Sequence, residues 1–292
     1  MKIINFGSIN IDHVYTVEHF VKPGETLKSK TYKTFLGGKG ANQSFALARA
    51  GARVLHAGKI GKDGQWLKDK LQESGVDTAL IQKVDLSTGH ALIQVNAQGE
   101  NAIILHGGAN ESFTDTDIKK VLSQGNPGDF LLLQNEINSV DKILQMGANK
   151  GLTIVFNPAP MRDEVKSYPL EYVDIFIINE LEGEALTGEK NPQKIVSAIQ
   201  GLYPKSKTVL TLGKEGLLYK DKDKSIKMDA LKVQAIDTTG AGDTFIGYFL
   251  AELSQGQEIE KCLEMGIKAS SICIGREGAA DSIPTREEVH RL

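Results

Sequence analysis

Phe130-Leu131-Leu132-Leu133 is an unbroken apolar run, a helical pattern opens at Ser139 and lasts to about Asn149 before Gly151, and Thr153-Ile154-Val155-Phe156 is a second apolar run. Runs this short, built from β-branched and large aliphatic residues, read as strands covered on both faces. Ser at the start and Gly past the end are the residues expected to open and close the helix between them. The unit is strand, helix, strand, and strands joined through a helix run parallel.

The alternation extends in both directions. Runs 3–6, 54–57, 175–178 and 208–212 read as further buried strands, and helical patterns cover 41–50 before Gly51, 65–74 before Gly75, and 114–122 with Thr114 as cap. Repeated at this length, the pattern predicts a three-layer α/β fold, a mostly parallel sheet with helices on both faces. The C-terminal third is helical over 243–254, 258–273 and 285–291. Residues 216–228 form a hairpin whose tip, Asp221-Lys222-Asp223-Lys224, is a solvated polar loop. Two segments break the alternation. Residues 12–36 contain period-two stretches such as Lys30-Thr31-Tyr32-Lys33-Thr34-Phe35, and 91–105 reads as a hairpin around Gly99. By pattern alone they fit a small separate sheet and an edge extension of the main sheet equally well.

With 292 residues, 40% hydrophobic and 24% charged, the chain is expected to be one domain, 1–292, with at most a small appendage. A net charge of −3 gives no basic excess, which points to a small-molecule partner and away from nucleic acid. Cys262 and Cys273 lack CxxC spacing and read as reduced core thiols of a cytoplasmic protein. The start, Met1-Lys2-Ile3-Ile4-Asn5-Phe6-Gly7, lacks a signal-peptide apolar region, and no stretch approaches the roughly 20 apolar residues of a membrane span. The six histidines are scattered singly and read as surface or core residues. Each Gly-Lys pair, at 38–39, 58–59, 61–62 and 213–214, is followed by Gly, Ile, Asp or Glu, so no Walker A loop exists. The absence of a GxGxxG fingerprint after the first strand argues against a nicotinamide-dependent oxidoreductase, which the α/β pattern would otherwise allow. HExxH and GxSxG are also missing.

The sharpest local signal is Asp237-Thr238-Thr239-Gly240-Ala241-Gly242-Asp243-Thr244-Phe245, running into an apolar helix. Small residues let the backbone approach an anion, and the first N–H groups of a helix lack intrahelical partners. Together with the helix dipole they form a site suited to phosphate. Gly240, Ala241 and Gly242 supply the amides. Asp243 stands at the lip, placed to take a proton from an attacking hydroxyl. A lone Gly-Asp pair would be an ordinary helix start; the whole unit is read as a catalytic turn.

This segment resembles the second signature of the ribokinase-like (PfkB) carbohydrate kinase family. Gly37-Gly38-Lys39-Gly40-Ala41-Asn42-Gln43 resembles the first, and Gly7-Ser8-Ile9-Asn10-Ile11-Asp12, Asn157-Pro158-Ala159-Pro160, Asn179-Glu180-Leu181-Glu182 and Thr211-Leu212-Gly213-Lys214-Glu215-Gly216 follow in the family's order along the whole chain. Lys39 within Gly-Gly-Lys-Gly-Ala-Asn is most similar to the ribokinase branch. The resemblance implies a main α/β domain with a small β-sheet lid formed by segments of about 12–36 and 88–106, over which lids of a homodimer meet. Ala91 and Ile93 would then face the sugar or the partner lid. It implies sugar contacts from Asn10, Asp12, Gly38, Lys39, Asn42 and Glu136, and ATP contacts from Asn179, Thr211, Gly213, Gly216 and Gly242. Glu182 would place Mg²⁺ through water. Asp237, Thr239, Cys273, Arg276, Gly278 and Ser282 would surround a monovalent cation, typically K⁺.

The plainer readings stay open beside these. Asn10 and Asp12 suit turns, Lys39 suits a solvated surface, Gly213 and Gly216 suit a tight turn, and Glu182 suits a helix surface. Two positions depart from the family pattern: Asn138, where relatives often have Pro, and Trp66, where they commonly have Gly. Trp66 reads as a cover for the core at a helix start. The expectation is an ATP-dependent sugar kinase acting on the 5-hydroxyl of D-ribose, with Asp243 as base. Another sugar or a nucleoside as substrate is the alternative, and a non-catalytic sugar-binding regulator ranks below it.

Overall fold

The computed structural model describes residues 1–292. In chain order the first elements are β1 (Ile3–Phe6), β2 (Asn10–Thr16), β3 (Thr31–Gly37), α1 (Lys39–Arg49), β4 (Val54–Ile60), α2 (Gln65–Glu73) and β5 (Ile81–Lys83). Then come β6 (Gly89–Val95), β7 (Asn101–His106), α3 (Asp115–Leu122), β8 (Phe130–Gln134), α4 (Val140–Asn149), β9 (Thr153–Asn157) and β10 (Ile175–Asn179). The remainder is α5 (Glu180–Thr187), α6 (Pro192–Leu202), β11 (Lys207–Thr211), β12 (Leu217–Lys220), β13 (Ser225–Met228), α7 (Ala241–Ser254), α8 (Ile259–Cys273) and α9 (Arg286–His290).

Nine strands make one sheet in the order β13-β12-β11-β10-β9-β8-β1-β4-β5. All pairings from β11 to β5 are parallel, and only the β11–β12 and β12–β13 pairings are antiparallel. Alternate residues along a strand point to opposite faces, and here they feed two separate cores. Ile3, Phe130, Leu132, Ile175 and Ile177 pack with Phe45 and Leu47 of α1 and Phe249 and Leu250 of α7. Their neighbours Ile4, Leu131, Leu133, Phe176 and Ile178 pack with Ile118 of α3, Ile143 of α4 and Ile199 of α6. This is the three-layer architecture expected from the apolar runs. The sheet order reverses between β1 and β8, and ligands of open α/β sheets bind beyond the carboxyl ends of strands at such a switch.

The two irregular segments form a separate four-stranded sheet, β3-β2-β6-β7, and not an extension of the main one. Its register sets Asp12 opposite Phe35 and Ala91, and Val14 opposite Ile93, so these share one face. Its outer strands leave Tyr32, Ile103, Ile104 and Leu105 exposed, Ile104 at 65%, and Leu92 of β6 is exposed beside them. The sheet also gathers three histidines that are far apart in sequence. His90 stands 5.8 Å from His13 and 5.0 Å from His106, ring to ring, and the His13 ring nitrogen bonds the Tyr32 hydroxyl at 2.8 Å.

Helix starts follow the expected chemistry at Thr114, which forms a reciprocal capping box with Asp117, a device worth about 1 kcal/mol. Ser139 occupies the cap position of α4 but with left-handed backbone, φ 61°, and its side chain makes no capping bond. Asn138 shapes that loop in place of a proline, bonding both the N–H and the carbonyl of Phe113 at 2.9 Å. Trp66 does not cover the core: it is 38% exposed at the start of α2. Cys262 and Cys273 are free and buried, as expected. No helix is long and apolar enough to cross a membrane.

Candidate active site

The site assembles where β1 and β8 end. Gly7, just past β1, and Gly40, in the first turn of α1, lie so close that a Cβ at Gly7 would stand 2.7 Å from the Gly40 Cα. That contact brings the amino end of α1 onto the switch point. Gly38 caps α1 with no side chain of its own. The carboxylate of Glu136, beyond β8, takes over: its Oε2 accepts from the Lys39 N–H at 2.9 Å and from the Ser8 hydroxyl at 2.5 Å. A carboxylate at a helix amino end is favoured by the dipole. Glu136 therefore crosses the switch and fixes α1 through one oxygen, with Oε1 making no bond to the chain.

Asn10 and Asp12 enter from the first strand of the small sheet. A Cβ at Gly37 would stand 2.1 Å from the Asp12 carboxyl group, so glycine there is the space in which Asp12 sits. Asn10 is oriented by Asn110, whose Nδ2 donates to Asn10 Oδ1 at 2.8 Å. Asn110 is itself fixed by accepting from the Ile9 N–H at 3.0 Å. Asn110 was not foreseen from sequence; nothing in its local pattern separates it from a loop asparagine. Burial, then the charges of Glu136 and Asp243, push the Asp12 carboxyl up to about 7.

Helix α7 carries the glycine-rich turn. Gly240 is its N-cap, with φ 77°. Such left-handed backbone favours glycine, and a Cβ there would also stand 3.3 Å from Ala279. The Ala241 N–H donates to the Thr238 carbonyl at 3.3 Å. The unpartnered amides are therefore those of Gly240, Gly242 and Asp243, with Asp243 in place of the Ala241 expected beside the two glycines. Asp243 is buried, and both its oxygens accept side-chain amides: Asn42 Nδ2 at 3.1 Å to Oδ2 and Gln43 Nε2 at 2.9 Å to Oδ1. Gly247, one turn on, allows this packing, since a Cβ there would lie 2.3 Å from the Ala46 Cβ of α1.

Two cavities flank this turn. One, of ≈ 250 Å³, is lined by Lys39, Asn157, Asn179, Glu182, Thr238, Gly240, Gly242 and Asp243 among others. The other, of ≈ 610 Å³, has walls from Gly213, Gly216, Ala230, Val233, Ala235, Phe245, Ile267 and Ile274. They meet at Thr211, Thr238 and Gly242. Lys39 thus lines the cavity at the glycine-rich turn, and Asp243, Glu136 and Glu182 together hold its ammonium charged despite burial. The mostly apolar groove of the second cavity contains residues 230–235, whose irregular backbone gave no signal in the sequence.

The Asn179-x-x-Glu182 pattern has a structural cause. It is a capping box at α5: Asn179 Oδ1 accepts from the Glu182 N–H at 2.9 Å, and Glu182 Oε2 accepts from the Asn179 N–H at 3.0 Å. Glu182 is nonetheless buried and faces the smaller cavity, where desolvation raises its pKa against the pull of Asn179 and Lys39. Gly216 is a turn glycine, since a Cβ there would meet the Met228 carbonyl at 2.0 Å; Gly213, φ 54°, has open space around it.

The loop after α8 packs behind Gly240. Asp237 accepts from the Thr239 N–H at 2.9 Å and from the Gly278 N–H at 3.0 Å. Burial would raise this carboxyl, but those bonds outweigh it and draw its pKa down. Cys273 Sγ lies 3.8 Å from the Thr239 carbonyl and 3.1 Å from the Ser282 hydroxyl. The Arg276 side chain turns away to Glu288 at 2.6 Å. Asp237, Thr239, Cys273, Gly278 and Ser282 are thus brought together, while Arg276 offers only its backbone.

A phosphate-sized cavity with open helix amides, a buried carboxylate beside it, a groove on one flank and polar residues of a small sheet on the other define a phosphotransferase-like site. The sequence model of the pfkB family carbohydrate kinases matches residues 1–286, and the chain belongs to that family. It is 39% identical to the ribokinase of Haemophilus influenzae, over 97% of this chain and 95% of the relative. Among solved structures it resembles the ribokinase of Cryptococcus neoformans var. grubii in complex with ADP (TM-score 0.87, 37% identity, 100% of this chain and 99% of that one). It also resembles the Arabidopsis thaliana ribokinase complexed with ribose and ATP (TM-score 0.87, 29% identity, 99% and 97%).

Proposed function

We propose that this chain is an ATP-dependent kinase of D-ribose, forming ribose 5-phosphate and ADP, and that it acts in the cytoplasm as a homodimer. One observation carries the reading: the Asp243 carboxylate and the open amides of Gly240 and Gly242 share one edge of a cavity that runs into a large, mostly apolar groove. The whole-chain similarity to ribokinases supports ribose as the sugar.

The groove takes the nucleotide, with Gly213 and Gly216 admitting its base and Thr211 and Asn179 standing at the entry to the phosphate cavity. The sugar lies between the small sheet and α1. Asp12 and Glu136 Oε1 accept from its hydroxyls. Asn10, its oxygen engaged by Asn110, donates. Gly38 and Asn42 complete the floor, and the buried Asn42 Oδ1, without a partner in the chain, is a further acceptor. The C5 hydroxyl oxygen attacks the γ-phosphorus as the bond to the ADP oxygen breaks, and the hydroxyl proton passes to Asp243. Amides of Gly240 and Gly242, with the Lys39 ammonium, stabilise charge on the phosphoryl oxygens.

A hydrated Mg²⁺ fits the donors present: Glu182 is the one buried carboxylate of the phosphate cavity besides Asp243, and no cluster of three metal-ligating side chains exists. Mg²⁺ arriving with ATP and held near Glu182 through water would neutralise phosphate charge. The oxygens around Asp237, Thr239 and Ser282, with carbonyls of the 273–278 loop, fit a K⁺ ion that would steady the Gly240 turn from behind. The small sheet acts as the lid that excludes water, and its exposed Ile103, Ile104 and Leu105 meet a partner lid. The test is ADP release across a panel of sugars and nucleosides at fixed ATP, with K⁺ or Na⁺. Ribose should have the highest kcat/KM, with K⁺ raising it; a nucleoside or 2-deoxyribose preferred over ribose would overturn the assignment.

A further inference from the structure

We infer that Gln43 is a positioning residue for the base: its side-chain amide sets the orientation of the Asp243 carboxylate. The inference rests on the reading of Asp243 as base. Gln43 is fully buried, one residue beyond the sugar-lining Asn42. Its NH₂ group donates to Asp243 Oδ1 at 2.9 Å and to Asn157 Oδ1 at 3.3 Å. Its carbonyl accepts from Gln134 Nε2 at 2.7 Å, and the same Gln134 NH₂ donates to Asn5 Oδ1 at 3.0 Å. Asn5 in turn donates to the Gly40 carbonyl at 2.7 Å and to Ser44 at 2.8 Å.

Every amide in this row has one permitted orientation. Turned over, Gln43 would set its carbonyl oxygen against a carboxylate and its NH₂ against an NH₂, leaving buried groups unpaired. The row runs from the end of β1, across the end of β8 and α1, to the base on α7. It couples the carboxylate to the rigid sheet and not only to its own helix. A hydroxyl nucleophile needs the proton acceptor within hydrogen-bond reach along a set direction. Asn42, by contrast, faces the sugar as well as the base, so its removal would mix binding with chemistry. Gln43 lines neither cavity.

The experiment compares wild type, Gln43→Met, Asp243→Asn and the double variant, with ATP and ribose varied. Methionine keeps the volume and removes the donor. Gln43→Met should lower kcat by about 10²-fold with KM for ribose changed less than about 3-fold. It should cost nothing further in the Asp243→Asn background. Asp243→Asn inactive with Gln43→Met near wild type overturns this inference and leaves the base intact. Asp243→Asn near wild type overturns the base itself. An equal loss in both backgrounds makes Gln43 merely structural and overturns the inference too. Should Gln43→Met not fold, Gln43→Glu alone and with Asp243→Asn keeps the same discrimination, and its pH profile checks that position 43 touches the base. The charged groups facing Asp243 are Lys39, Asp12, Glu136 and Glu182, and they stay unchanged. A second carboxyl at position 43 should raise the acid limb of kcat by about one pH unit or more, and an unmoved limb contradicts the inference.

Discussion

The sugar-binding role proposed for Asp12 comes at a cost to the fold. The Asp12 carboxyl, ordinarily near 3.8, is raised to about 7 by burial and by Glu136 and Asp243. The folded chain therefore holds a proton there that the unfolded chain has lost, so Asp12 lowers stability as pH climbs from about 4 to about 7. Asp12→Asn removes that charge. The melting temperature of ligand-free Asp12→Asn should exceed that of wild type by a margin that grows from pH 4 to pH 7 and then levels. Sugar affinity should fall by about 10- to 100-fold in the same variant. A constant margin across pH would show that Asp12 is not perturbed. At this scale the sequence pointed to residues that the structure places at the candidate site: Asp243, Asp12 and the glycines of the turn. It was illegible for Asn110 and Gln43, because a buried amide aimed at a functional group is spelled the same as an exposed one. The sequence suggests Asn179 for ATP and Glu182 for Mg²⁺, and the structure shows that the pair also forms the capping box of α5.

Elements matter here through how closely they pack. Helices α1 and α7 carry opposite halves of the site, and their contact depends on Gly247 against Ala46. Gly247→Ala should destabilise by about 1–3 kcal/mol, read from denaturant unfolding. It should also lower kcat more than KM, since it tilts Asp243 away from Asn42 and Gln43. Unchanged stability would mean the helices can part freely. Most strands and most long helices were legible because their periods are strong, but α6 was not foreseen although Asn191, Pro192 and the spacing of Ile195, Val196 and Ile199 mark a helix. Helix α5 was not, being short with apolar residues on no clear face, and β5 has only three residues. The groove walls at 230–235 have no regular period to read.

The whole molecule joins a three-layer body to a small sheet whose outer strand β7 is largely apolar and exposed. Single-strand patterns showed two β segments but not their pairing; the β2–β6 register puts Ala91 beside Asp12 and brings His90 near His13, and the β6–β7 pairing adds His106. If two lids meet, charge on both faces of β7 should part them. Ile103→Asp with Ile104→Asp should sediment as a monomer where wild type is a dimer, and its KM for ribose should rise several-fold; a monomeric wild type would remove the dimer from the account. The proposed function requires phosphate amides, base and sugar pocket to meet at Asp243, on the edge of the smaller cavity. The most direct measurement is kcat of Asp243→Asn at saturating ATP and ribose, beside calorimetric binding of ADP and ribose. A fall of about 10²- to 10⁴-fold with both ligands still bound is the predicted result, and a kcat within a few-fold of wild type would contradict it.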